Sequence, residues 1–393
     1  MIYLIIILML LFFAFVHDLN RVQKNKHIHL KIVFWIFFLL SGLRHGIGGD
    51  TYQYRVFWDL LPEFPNVTWD DLTQYRYEIG WVLLCLIVKS VFGSFVFLQL
   101  IISWLLNRGI LKIVEKYSEY PFLTLLLFFI SGEQYFYMEF EFCRQAVSVG
   151  LFLIWGGEFL NKRQYGKYTL IIIVCTMFHF ASFCLLVLPF LWNLDYSRRT
   201  IVKILLGVLI IVIPTLKVFL NLEFVKFSIA LNRVANNMET ISSGDINLLE
   251  AARVTFFYIV YYFVILFGII VYKLKIRFPG ALFFGVVICI IAPFFFDTIR
   301  LMFYVVIFID IALAQVIIRF SQKDFRLWAL GILSYLIVSN VLFIWRYTQP
   351  QYMFYMYPYY SWFEEEPDSH KKELRGRKFD GITIPYQIYK IQN

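Results

Sequence analysis

Charge is scarce in this sequence. Only 16% of the 393 residues are Asp, Glu, Lys or Arg, against about a quarter in a soluble domain. Cysteine is scarce too. The five cysteines, Cys85, Cys143, Cys175, Cys184 and Cys289, form no CxxC pair, and most lie inside apolar runs. They read as small core residues, which excludes a disulfide framework or a zinc site. There is no GxxxxGK[ST] or GxGxxG loop and no HExxH pair, so nothing implies an ATP site or a metallohydrolase helix. Internal repeats, low-complexity stretches and an embedded soluble domain are absent as well. The first 17 residues lack a basic leading segment and a small-residue cleavage site. They are expected to be a retained helix with its N-terminus outside.

What fills the chain is apolar. Hydrophobic residues make up 60% and aromatics 20%, and mean hydropathy is +0.69. Apolar segments run at 1–17, 31–43, 95–111, 121–136, 142–160, 168–178, 180–192, 201–220, 253–271, 280–296, 301–318 and 327–346. The spacing predicts an all-α polytopic membrane protein of about 12 helices, some short or re-entrant. Net charge is +9. The excess does not point to nucleic acid, because it follows membrane topology. Alternate loops carry Arg21, Lys24, Lys26 and Lys31; Lys112 and Lys116; Lys162, Arg163 and Lys167; Arg198, Arg199 and Lys203; Lys273, Lys275 and Arg277; and Arg319, Lys323 and Arg326. The short outside connections carry almost none beyond Arg144 and Arg300. Basic loops stay inside, so both termini are expected outside. Residues 1–346 form one transmembrane domain with outer loops 44–94 and 221–252. Residues 347–393 form an extracytoplasmic tail, aromatic at first and then charged.

Two segments strain this pattern. Residues 79–92 are apolar but too short to span, and counting them would invert the downstream charges. They are expected to be an amphipathic helix along the outer interface, with Lys89 snorkelling. Residues 168–192 are expected to fold as a tight hairpin of short helices with "FHFAS" (178–182) at its turn; a single long helix would break the charge rule.

The expected outer side collects Arg44, Asp50, Arg55, Arg76, Glu78, Glu139, Glu141, Arg144, His179, Asp297 and Arg300. Each has a bland reading. Arg44 could snorkel to lipid phosphates, glycines 46, 48 and 49 could serve a turn, and Asp50 could cap the helix that follows. Glu141 and Arg144, like Asp297 and Arg300, have the spacing of a local helix pair, and Glu158 with Lys162 reads as a surface pair. His179 could be a hydrogen-bonded turn histidine. Asp310 falls near mid-membrane and needs a partner or a proton. The combination carries more than any member does. Arginines 44, 144 and 300 with two or three carboxylates suit a phosphate-bearing lipid, and a carboxylate or histidine can take a proton from a hydroxyl nucleophile.

"RHGIGGDTYQY" (44–54), "YEIGW" (77–81), "FEFCRQAVSVGLF" (140–152), "YGKYTLIIIVCTMFHFASFCLLVLPF" (165–190) and "RLMFY" (300–304) resemble, in this order, the EpsG family of Wzy-type surface-polysaccharide polymerases. The resemblance covers about residues 40–310. It implies a multi-spanning inverting glycosyltransferase in the bacterial cytoplasmic membrane. Such an enzyme would polymerise polyprenyl-pyrophosphate-linked oligosaccharides at the outer face. Arg44 and Asp50 match its first-loop motif, Glu78 its acidic residue, Arg144 and Gln145 its Arg-Gln pair, His179 its Phe-His, and Arg300 and Tyr304 its late Arg-Tyr element. "MEFEFCRQ" stands where the family usually has Asn-Gly before Arg-Gln. On this reading Arg44, Arg144, Gln145, Arg300, Tyr304 and Tyr54 bind substrate. Asp50, with Glu78 as the other candidate, is the base, and His179 orients substrate or shares the proton. Tyr52, Tyr54, Trp58 and Tyr137 could stack on sugars. No cofactor or metal is required, although the carboxylates are compatible with a divalent cation. The implied partners are a lipid-linked oligosaccharide donor and acceptor and membrane lipids. A chain-length regulator and a flippase would handle the same lipid, and no nucleic acid is implied. The rival readings are a flippase or exporter, an O-antigen ligase-type transferase and a membrane acyltransferase.

Overall fold

The computed structural model describes residues 2–45, 47–73, 75, 77–131, 133–192, 265, 277–291, 296–322, 359 and 361–363. The expected segments 201–220, 253–271 (apart from Ile265) and 327–346, the loop 221–252, most of the tail and Arg76 lie outside the described residues. So do the side chains of Tyr52 and Asp297.

Among the described residues the secondary structure is helical. Three helices are long and apolar enough to cross a membrane: Ile2–Leu19, Phe95–Tyr117 and Thr298–Arg319. The chain divides into two units, residues 1–183 with 318–393, and residues 184–317.

In the first unit, α1 (Ile2–Leu19) is apolar all round. Tyr3, Ile6, Ile7 and Leu10 are buried, while Leu4, Ile5, Leu8 and Phe12 stay exposed. A helix with an exposed face this apolar suits lipid rather than water. Next come α2 (Lys26–Gly42), α3 (Gly49–Leu60), α4 (Ile79–Phe92) and α5 (Phe95–Tyr117). α5 is the spine of the unit, and α2, α4 and α7 pack on it. It outruns its apolar stretch by two turns, so Lys112 and Lys116 stand on the helix rather than in a loop. With 23 residues it is about 35 Å long, enough for a hydrocarbon core of about 30 Å. α4 has the predicted bounds and, with 14 residues, reaches only about 21 Å.

The segment expected at 121–136 is not one helix. α6 (Pro121–Ile130) stops at Ser131, whose Oγ bonds back to the Phe128 carbonyl at 2.9 Å. The Asp18 carboxylate, at the end of α1, caps α6 by accepting the Leu123 N–H at 2.7 Å. A short turn (Glu133–Phe136) and a π-helical turn (Tyr137–Glu141) follow. Phe142 then leaves helical geometry (φ −91°, ψ 57°) before α7 begins at Cys143. α7 runs through a second π-helical turn, Phe152–Gly156, to Asn161. α5 and α7 meet at Gly109 and Gly150, where a Cβ on either glycine would approach the other helix to 3.0 Å or less; small residues at such a crossing let helix backbones close up.

Glu158 is not a simple partner of Lys162. It also binds Lys112 at 2.8 Å and Lys116 at 3.7 Å, because the extended α5 brings both lysines to the end of α7. α8 (Tyr165–Thr176) ends before His179, and a 3-10 helix, Phe180–Val187, follows. The break expected near "FHFAS" is therefore present, and a single helix across 168–192 is not.

In the second unit, the short helix Leu188–Leu191 packs on α9 (Pro279–Ile291). A 3-10 turn, Phe296–Leu301, leads into α10 (Met302–Gln322). Trp192, Phe278 and Phe308 form its aromatic core.

Candidate functional site

The site begins where α2 runs out of hydrogen-bond donors for its last carbonyls. The Leu39 carbonyl takes the Leu43 N–H at 3.0 Å. The Leu40 carbonyl takes the Tyr359 hydroxyl at 2.8 Å. The Ser41 carbonyl takes Arg44 Nη1, and the Leu43 carbonyl takes the Trp362 N–H at 3.0 Å. Arg44 therefore folds back onto the negative end of its own helix, a favourable place for a cation. It does not snorkel: it is only 1% exposed. Nη2 lies 3.4 Å from Thr51 Oγ1 and 3.5 Å from Cys143 Sγ, and the guanidinium sits 5.7 Å from the centre of the Phe140 ring. Nε has no hydrogen-bond partner among the described residues.

The chain then turns at Gly48, which has φ +92°. A Cβ there would fall 2.1 Å from the Phe140 carbonyl oxygen, so both the conformation and the close approach require glycine. Gly48 is the residue before α3, and Asp50 lies inside the first turn. Asp50 is thus not the N-cap residue. That role falls to Glu141, which reaches from the π-helical turn and accepts the Asp50 N–H at 2.8 Å. A carboxylate there satisfies an otherwise unpaired donor and meets the positive end of the helix. At the next residue, the Thr51 hydroxyl donates to the Phe140 carbonyl.

Arg144 opens α7 on the other side of α3. Nη1 donates to Glu78 Oε2, and Nε lies 3.3 Å from the Tyr54 hydroxyl. The guanidinium sits over Tyr77, 4.8 Å from the ring centre. Burial holds the Tyr54 phenol well above its ordinary pKa, against the pull of Arg144, so it remains a protonated donor. Glu78 also accepts the Phe180 N–H at 3.1 Å, and the Gly80 N–H donates to the Met177 carbonyl at 2.9 Å. The 78–80 segment is thus laced to the corner that holds His179. His179 is buried, and its carbonyl accepts the Ser182 hydroxyl at 2.8 Å. Gln145, next to Arg144, is buried too.

Seven of the nine sequence-identified residues thus gather in the first unit. Asp50, Tyr54, Glu78, Arg144 and Gln145 line one region, with the His179 corner hydrogen-bonded to it, and Arg44 lies behind Thr51 and Cys143. The arginine and glutamate of the Arg144–Glu78 pair are 22% and 21% exposed, so this pair is reachable where Arg44 is not. Arg300 and Tyr304 belong to the second unit: Arg300 ends the 3-10 turn, and Tyr304 is fully buried on α10. Asp310, two turns further on, is fully buried, with no hydrogen-bond partner among the described residues. Tyr54 and Trp58 are core rings rather than exposed platforms. Tyr54 packs on Trp81 and Trp58 on Phe95.

Sequence reasoning missed the stripe Gln99, Ser103 and Asn107, all buried on α5. Gln99 accepts the Trp362 indole N–H at 3.0 Å. Ser103 bonds the Ser41 hydroxyl and, at 2.9 Å, the Phe38 carbonyl. Asn107 donates to Glu139 at 3.2 Å. The signal was there: three polar residues at i, i+4 and i+8 share one helix face. Lys89 was read as a snorkelling lysine. Its ammonium instead donates to the Trp58, Asp59 and Leu61 carbonyls at 2.8, 3.3 and 2.6 Å, closing the C-terminus of α3. Among the described residues, no group of three His, Cys, Asp or Glu side chains is placed to hold a metal ion.

Residues 27–361 match the model of the EpsG family, which is associated with exopolysaccharide polymerisation. No curated protein and no solved structure matches the chain. The family match spans most of the sequence and contains every residue of the site in the first unit, and the chain belongs to the EpsG family.

Proposed function

We propose that this protein polymerises polyprenyl-pyrophosphate-linked oligosaccharide repeat units at the outer face of the bacterial cytoplasmic membrane, by inverting glycosyl transfer. The observation that carries the reading is the partly exposed Arg144–Glu78 pair, framed by Tyr54 and Tyr77 and laced to the His179 corner. Nucleotide sugars are not found outside the cytoplasmic membrane, so the donor must bring its own leaving group. A lipid pyrophosphate does so. Arg144 offers it a planar, always-charged fork. Arg44 adds positive charge from behind and retains a buried Nε donor without a partner among the described residues. Gln145 joins the binding set in this proposal, and Arg300 and Tyr304, in the second unit, are proposed to contact substrate on the strength of the family motif alone.

In the transfer, the acceptor hydroxyl oxygen attacks the anomeric carbon of the donor. The bond from that carbon to the pyrophosphate oxygen breaks, and its electron pair leaves with the lipid pyrophosphate. Arginine charge stabilises the departing anion. The hydroxyl proton passes to a carboxylate. Asp50 is the first candidate for that base, and Glu78, which already accepts from Arg144 and from the Phe180 N–H, is the other, with His179 orienting the acceptor. The carboxylates remain compatible with a divalent cation. A chain-length regulator and a flippase would act on the same lipid-linked substrate.

Surface polysaccharide from a deletion strain, resolved on a gel, tests the class. A lost polymerase leaves single repeat units attached. A lost flippase leaves none, a lost ligase accumulates lipid-linked polymer, and a lost acyltransferase changes mass but not ladder length. Complementation with Arg144→Ala is expected to restore protein but not long chains. Normal chain length in that strain would overturn the assignment.

A further inference from the structure

The segment 359–363 is far from the site in sequence and lies on it in space. Tyr359 donates to the Leu40 carbonyl, the Trp362 N–H to the Leu43 carbonyl, and Ser361 pairs with Arg44 in an antiparallel bridge. These contacts occupy carbonyls that α2 itself leaves unpaired. The Trp362 ring adds side-chain contacts. It stacks on His45 with ring centres 4.4 Å apart and planes 24° apart. Arg55, on the second turn of α3, lies 5.8 Å from its centre, and its indole N–H reaches Gln99 on α5. One side chain therefore touches the residue after Arg44, the helix whose first turn carries Asp50, and the polar stripe of α5.

We propose that Trp362 is a positioning residue for the site: it straps the 43–55 segment against α5 and so holds Arg44 and the first turn of α3 in register. His45, which the site chemistry does not use, is the ring the strap grips. The strap follows from the contacts alone; its effect on polymer length rests on the functional reading above.

The test uses full-length variants in the deletion strain. Trp362→Ala and His45→Ala are each expected to shorten the polymer while membrane protein levels stay normal. Trp362→Phe keeps a ring to stack, lacks the indole donor to Gln99, and is expected to restore long chains. A second readout needs no activity. Ser361→Cys, labelled with a maleimide in isolated membranes, is expected to react roughly tenfold faster when combined with His45→Ala or Trp362→Ala, because a segment that opens locally exposes its side chains. Equal labelling in all three backgrounds would show that these rings do not hold the strap. Faster labelling with unchanged polymer in both alanine variants would show that the strap does not serve the site. Either result overturns the proposal. Normal polymer in Arg144→Ala would instead sink the functional reading, and the labelling would still decide the strap.

Discussion

Arg144 and Glu78 form an ion pair between residues 66 positions apart, and Glu78 spends its second oxygen on the Phe180 N–H. One carboxylate thus ties the start of α7 to the corner after α8. Removing it leaves a half-buried guanidinium and a backbone donor unsatisfied. Glu78→Ala is expected to cost about 1–3 kcal/mol of stability in detergent unfolding. In a double-mutant cycle with Arg144→Gln, the coupling should be at least about 0.5 kcal/mol. Additive effects would mean that the pair contributes nothing.

Gly48 meets two demands at once, a positive φ and a Cβ-free approach to the Phe140 carbonyl. Gly48→Ala should destabilise the protein by about 1–3 kcal/mol, read as a lower unfolding temperature or reduced membrane accumulation. A neutral substitution would show that this turn can re-form without the approach.

Asn107 donates to the buried Glu139 carboxylate at Oε2, and Oε1 has no hydrogen-bond partner among the described residues. Asn107→Ala should therefore cost about 1–3 kcal/mol. Glu139→Gln keeps the shape and removes the acid, so it should be the milder change. The reverse order, measured by thermal unfolding, would mean that the carboxylate is held by something other than Asn107.

Lys89 closes the C-terminus of α3 through three carbonyls. Lys89→Met retains the apolar stem and loses the cap, and should lower stability by about 1–2 kcal/mol. Lys89→Arg should recover part of it. If Met and Lys behave alike, the ammonium is only an interfacial anchor.

The apolar runs determined much of the fold by themselves. The bounds of α4 follow from 14 mostly apolar residues between Glu78 and Gly93, and the break after α8 follows from asking about 25 residues to make two passes. The polar residues Arg44, Asp50, Glu78 and Arg144 could be picked out because charge beside an apolar helix is costly and therefore informative. Their pairings could not. Helix spacing favoured Glu141 for Arg144, since residues three apart share a face, but Phe142 breaks the helix between them. Glu141 is thereby turned toward α3, and Arg144 meets Glu78 instead. Nor could any local rule place Trp362 on His45, because the chain between them carries no periodicity that encodes the contact. Burial and composition are properties of a segment, so the sequence determined which residues are candidates. Partner choice depends on where separate segments meet, and only the tertiary structure decided that.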